Sequence, residues 1–236
     1  MANLNNKIIG ITFGIRFNRS FRIPDIAGEI VDDILYSAES PFGVDFFPRI
    51  QERRQEKILF NDKTTEYIRI NTDDIILGLE VKDDFVKKFN FLTLDVLNYF
   101  KDTLFKNYGI KNIRRVGVVF AHKIDRNENL GDAIKILTKE KIDGVDNINI
   151  SFSKKLAASE ALYRKGVTDY KSTIYNLTEM DEAMLAELDY QYYYNPPIED
   201  LRECFVDKIL SDAKSFLDSN YYDWLSTTTT SDAEHK

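Results

Sequence analysis

Eight residues, Gly10-Ile11-Thr12-Phe13-Gly14-Ile15-Arg16-Phe17, recur in pattern as Gly117-Val118-Val119-Phe120-Ala121-His122-Lys123-Ile124, an offset of 107 positions (Gly10 to Gly117). In both stretches the large side chains occupy every second position, so each reads as a strand with one apolar face. A glycine, an inward aliphatic, an inward phenylalanine, a small residue and an outward cation come back in register. This repetition constrains the fold more than any other feature, because the elements between the two strands repeat as well.

After the first strand, Ile26, Ile30, Ile34 and Leu35 fall at helical spacing and end near Ser37. Residues 50–61 read as a polar strand. Tyr67, Ile68 and Ile70 make a short strand, Asn71-Thr72-Asp73-Asp74 a turn, and Ile75, Leu77, Leu79 and Val81 another strand. Phe89, Leu92, Val96, Phe100 and Leu104 define a long amphipathic helix with Gly109 as its left-handed stop. In the second half a short helix is expected over 130–140 and strands over 148–157, 168–177 and 186–194. A last helix is expected from Pro197, capped by Asn195, with Ile198, Leu201, Phe205, Ile209, Ala213 and Phe216 on one face.

Both halves therefore read β-α-β-β-β-α. The expected fold class is α+β: two pseudo-repeats, residues 8–109 and 110–225, inside one domain of residues 1–226. Their strands form a mainly antiparallel, curved sheet covered by two long helices. Residues 227–236 are expected to be a mobile tail, having no apolar group to bury. Two such halves join their sheets about a pseudo-twofold axis, and the uncovered face or the groove on the axis becomes the natural binding surface.

Composition excludes several classes of function. A net charge of −7 disfavours nucleic acid as a partner. One cysteine, Cys204, excludes an internal disulfide, and two histidines beside it exclude a closed zinc site. No run approaches the ~20 apolar residues of a membrane span, so a cytoplasmic location without membrane contact is expected. Glycine-rich nucleotide loops and GxSxG are absent, and no cofactor is expected.

Glu80-Val81-Lys82 at a strand end, with Asp62 or Asp73 upstream, has the residue types with which metal-dependent nucleases hold Mg²⁺ and place a lysine near the attacking water. The same spacing also describes the solvent face of a strand whose inward residues are Leu79 and Val81. His122 falls in phase with Val116, Val118 and Phe120 and reads as a buried structural histidine. The pairs Asp32-Asp33, Asp73-Asp74 and Asp83-Asp84 read as solvated acids.

Two surface features point to a partner. Arg16, Arg19 and Arg22 near the first strand, with Arg49, Arg53, Arg54 and Lys57 on a polar strand, form a positive patch if they share one side. The alternative is pairing with Glu52, Glu56 and other acids. Tyr221, Tyr222 and Trp224 follow the last helix and are the residue types that interfaces concentrate. For Tyr190, Tyr192, Tyr193 and Tyr194 the expectation is alternation between core and sheet surface.

The strand Arg114-Arg115-Val116-Gly117, the Arg16-Phe17 strand end, the hairpin from Ile68 to Val81 before a long helix, and the aromatic C-terminal region resemble a sporadically distributed prokaryotic family of chains of this length. The likeness covers most of residues 8–225. It implies no activity, cofactor or catalytic residue, and the patchy distribution implies mobile or defence-associated genes. The expected function is that of a non-enzymatic protein-interaction subunit or accessory factor of a multi-subunit assembly. Its expected binding residues are Arg16, Arg19, Arg53, Arg54, Tyr221, Tyr222 and Trp224. The alternatives are a small-molecule or peptide sensor binding between the halves and, behind it, a Mg²⁺-dependent nuclease.

Overall fold

In the computed structural model, which describes residues 8–53, 56–125, 149–157, 167–179 and 183–218, the alternating segments become strands of one antiparallel sheet. The first half runs β1 (Ile8–Phe17), α1 (Arg22–Tyr36), β2 (Arg49–Arg53), β3 (Glu56–Phe60), β4 (Tyr67–Asn71), β5 (Asp74–Glu80) and α2 (residues 85–107). The second runs β6 (Ile113–Asp125), β7 (Asn149–Ala157), β8 (Tyr170–Glu179), β9 (Ala183–Ile198) and α3 (Val206–Phe216). The fold is α+β, with strand order β2-β3-β4-β5-β1-β6-β9-β8-β7.

The period-two pattern decides which side chains enter the core. Ile11, Phe13, Ile15 and Phe17 of β1 are buried, as are Val116, Val118, Phe120 and His122 of β6 and Leu188, Tyr190, Tyr192 and Tyr194 of β9. The helices cover this face. Phe100 and Phe105 of α2 lie against Phe13 and Phe17, and Phe85 and Phe89 lie against Phe120. Phe216 of α3 meets Tyr175 and Tyr190. Each such aromatic, taken from water, contributes about 2–3 kcal/mol. Among the described residues, no helix covers the opposite face.

The long helix α2 starts behind Asp84, whose side chain accepts from the Lys87 amide, and ends before Gly109 at φ 59°. The sequence expectation for its C-terminal stop holds. Its turns at Phe91–Val96 and Phe100–Leu104 are wound as π-helix.

Three expectations fail. Residues 50–61 are a hairpin, β2 and β3, with Arg53 opposite Glu56, so four strands follow α1. No glycine, proline or asparagine marks that reversal in the sequence. The last helix does not start at Pro197, and Asn195 is not its cap. The Asn195 amide donates to Asp169 Oδ1 at 2.7 Å, Thr168 N donates to the Asn195 carbonyl at 3.2 Å, and Ile198 pairs with Ile113. Pairing with distant strands keeps β9 extended through a segment whose local signals suit a helix start. Phe205, placed on the buried helix face from spacing, adopts φ 48° and is 47% exposed. The expected helix at 130–140 and tail at 227–236 lie outside the described residues.

Candidate functional site

Registered strands place directly opposed residues on the same face of a sheet. Following the pairings from Asp74 across β5, β1, β6, β9 and β8 gives Asp74, Arg16, Arg115, Tyr193 and Tyr170 in one row on the open face. Arg69 of β4 and Lys155 of β7 reach this row from either end.

Their contacts make a continuous band. Arg69 Nη2 donates to both Asp74 carboxylate oxygens at 3.2 Å, and Arg16 Nη2 donates to Asp74 Oδ2 at 3.5 Å. Two guanidinium groups thus share one carboxylate that is itself 3% exposed. Arg115 stands beside Arg16 on the next strand. Its Nη1 donates to Gln191 Oε1 at 3.1 Å and to the Tyr193 hydroxyl at 3.4 Å, and its charge lies 5.7 Å from the Tyr193 ring centre. Tyr193 stacks on Tyr170 at 4.5 Å, and Lys155 Nζ sits 3.8 Å over the Tyr170 ring. Among the described residues four cations line this band, with Asp74 held between two of them and Asp189 reached through Gln191. Like charges directly opposite on neighbouring strands, as Arg16 and Arg115 are, repel each other. An anion laid across them relieves that repulsion.

The rest of the open face is low in relief. Gly10, Thr12, Gly14, Gly117, Val119 and Ala121 occupy its centre. The Tyr67 ring lies where a Gly78 side chain would stand, 2.3 Å from an added Cβ. The same face carries Glu80, Glu187 and Asp189 in other rows. Burial raises the Asp189 carboxyl to about 6. The Gln191 hydrogen bond and the Arg115 charge lower it, and Glu187 raises it.

Of the expected binding residues, Arg16 is central to this band. Arg19 is exposed nearby, with its guanidinium 5.2 Å from the Phe21 ring centre. Arg53 pairs with Glu56 at 3.0 Å on the edge hairpin, four ladders from β1 and so about 19 Å from Arg16. Arg49 pairs with Asp62 and Lys57 with Glu52. On the edge hairpin the alternative reading, pairing with Glu52, Glu56 and other acids, is the one that forms. Arg54, Tyr221, Tyr222 and Trp224 lie outside the described residues. Asp74, expected to be a solvated turn acid, is buried between two arginines. Tyr190, Tyr192 and Tyr194 enter the core while Tyr193 joins the surface, as alternation predicts.

The nuclease arrangement does not form. Asp73 precedes β5 and Glu80 ends it, about 20 Å apart along an extended strand. Asp62 is held by Arg49, and Glu80 accepts from the Thr65 amide at 2.9 Å. Among the described residues no group of three or more His, Cys, Asp or Glu side chains is placed to hold a metal ion. His122 is wholly buried, in phase with the apolar positions of β6. No described helix is long and apolar enough to cross a membrane.

No family model matches this sequence, and no curated protein matches it. Among solved structures, the Methanococcus jannaschii TBP is similar at 10% identity and a TM-score of 0.26, over 89% of this chain and 98% of that one. Likeness at that level carries no argument about either fold or function.

Proposed function

We propose that this chain is a non-enzymatic interaction subunit that holds an acidic segment of a partner protein across the open face of its sheet. The observation that carries the reading is the band in which Arg16 and Arg69 share the Asp74 carboxylate, Arg115 lies against Tyr193, and Lys155 lies over Tyr170 stacked on Tyr193. Arginine and tyrosine are the residues that carry protein interfaces, since both contribute area and directed hydrogen bonds. A phosphate backbone is disfavoured twice: by the net charge of −7, and by Glu80, Glu187 and Asp189 on the same face.

We also infer that the two halves descend from one copied segment. The strand order reads alike from the β1–β6 seam outwards, with β5, β4 and β3 answering to β9, β8 and β7. The 107-residue offset equates Thr12 with Val119, and these two are direct partners in the seam. A pseudo-twofold axis through that pair accounts for both facts.

The test is fluorescence anisotropy at low salt with a labelled peptide rich in aspartate and glutamate, against a labelled single-stranded oligonucleotide. The peptide binds, and Arg16→Ala with Arg115→Ala weakens it at least tenfold. Asp74→Asn, which releases Arg16 and Arg69, tightens binding while lowering stability. An oligonucleotide that binds where the peptide does not would replace this reading with nucleic-acid recognition. Failure of both probes would end it.

A further inference from the structure

A groove of about 670 Å³ runs between the loop after α1 and the outer side of α2, on the helical layer and away from the open sheet face. Three of its lining residues are carboxylates, Glu39, Asp95 and Asp102, and among the described residues no lysine or arginine lines it. Pro41, Phe91 and Leu94 line it as well, and Leu94 is 62% exposed. An exposed leucine on an ordered helix is unremarkable alone. Beside Asp95 in a concave wall, it belongs to a surface with both apolar and negative character. The Tyr99 side chain also lines the groove, with its buried hydroxyl against Ser40.

The geometry argues against a metal ion as the occupant. Asp95 and Asp102 are seven residues apart on α2, about 10 Å along the axis, well beyond a single coordination shell. Both π-wound turns fall on the stretch that lines the groove. Such turns widen a helix locally and often accompany binding sites. Two carboxylates about two turns apart, with Phe91 and Leu94 in the turn just before the first of them, match a facing helix that carries basic residues at that same interval and an apolar stripe in the turn beyond one of them.

We infer that this groove docks a basic amphipathic helix of a partner protein, with its cations on Asp95 and Asp102 and its apolar stripe on Leu94 and Phe91. The site does not depend on the function proposed for the sheet face. A partner held at both surfaces would present an acidic segment to one and a basic helix to the other.

The probe is a fluorescein-labelled helical peptide with two lysines seven positions apart and leucines in the turn flanking one of them, read by anisotropy. Its counterpart with glutamates in place of the lysines is the control. The lysine peptide binds and the glutamate peptide does not. Asp95→Lys with Asp102→Lys weakens binding at least tenfold. Glu29→Lys with Asp32→Lys makes the same change in net charge on the exposed side of α1 and leaves binding within twofold. Leu94→Ser, at an exposed position that the fold does not need, weakens binding several-fold and keeps the test valid if the double reversal fails to fold. Equal losses from both charge-reversed pairs, or no loss with Leu94→Ser, would overturn the inference.

Discussion

Asp189 shows what a half-buried carboxylate on an otherwise low-relief sheet face does to the molecule. Val119 and Ile174 flank it on the neighbouring strands, and burial raises its carboxyl from 3.8 to about 6. Between those values the folded chain keeps a proton that the unfolded chain has lost. Stability therefore falls as pH rises through that window and stays lower above it. Asp189→Asn removes the titration while its carbonyl still accepts from Gln191. The variant and the parent should denature alike in urea at pH 3.5. By pH 7.5 the variant should be more stable by about 2 kcal/mol, after discount for solvent screening. A difference that does not change with pH would show that burial does not perturb this group.

At the scale of elements, local pattern succeeded wherever packing follows sequence neighbours. β1, β6 and α2 were legible because their apolar residues keep strict periods of two or of three and four, and Gly109 marks a stop that only a left-handed residue satisfies. The start of α3 was not legible, since Asn195 is held by Thr168 and Asp169, just before β8, and Ile198 by Ile113 of β6, all far away in sequence. The site divides in the same way. Arg16 stood out as an outward cation, but Arg69, Asp74 and Arg115 meet only through the registers of β4, β5, β1 and β6, which no single segment encodes. Phe205 sits at that junction. It caps α3 with its carbonyl, which accepts from Lys208 and Ile209, while its own backbone sits at φ 48°. A phenylalanine there carries left-handed strain of about 1 kcal/mol, and glycine does not. Its half-exposed ring offsets part of that cost. Phe205→Gly should thus raise the midpoint of thermal unfolding by a few degrees. A fall of several degrees would mean that the ring contributes more than its backbone costs.

On the scale of the whole molecule, the seam between β1 and β6 joins the halves, and α2 bridges it. α2 belongs to the first half, yet Phe85 and Phe89 rest on Phe120 of the second while Phe100 rests on Phe13 of the first. Residues 8–110 alone would leave the β1 edge unpaired and half of the apolar face of α2 in water, which invites aggregation. Residues 111–236 alone would present the matching β6 edge without α2 above Phe120. Each half carries its own strand order outward from the seam, so the information needed to restore the molecule is contained in the two pieces together. Co-expressed as separate chains cut between Ile110 and Lys111, they should co-elute as a one-to-one complex with the circular dichroism of the intact protein. Either piece made alone should be insoluble or expanded. The placement of the cut matters, because it spares the residues that pair in the seam and lies where the backbone has already left α2. Gly14→Glu, set opposite Gly117 in the seam, should weaken that reassembly without touching the core side of β1. A first half that folds as a soluble monomer would show that α2 finds sufficient cover on β1 and β5 alone, and the shared interior would not then be what couples the two halves.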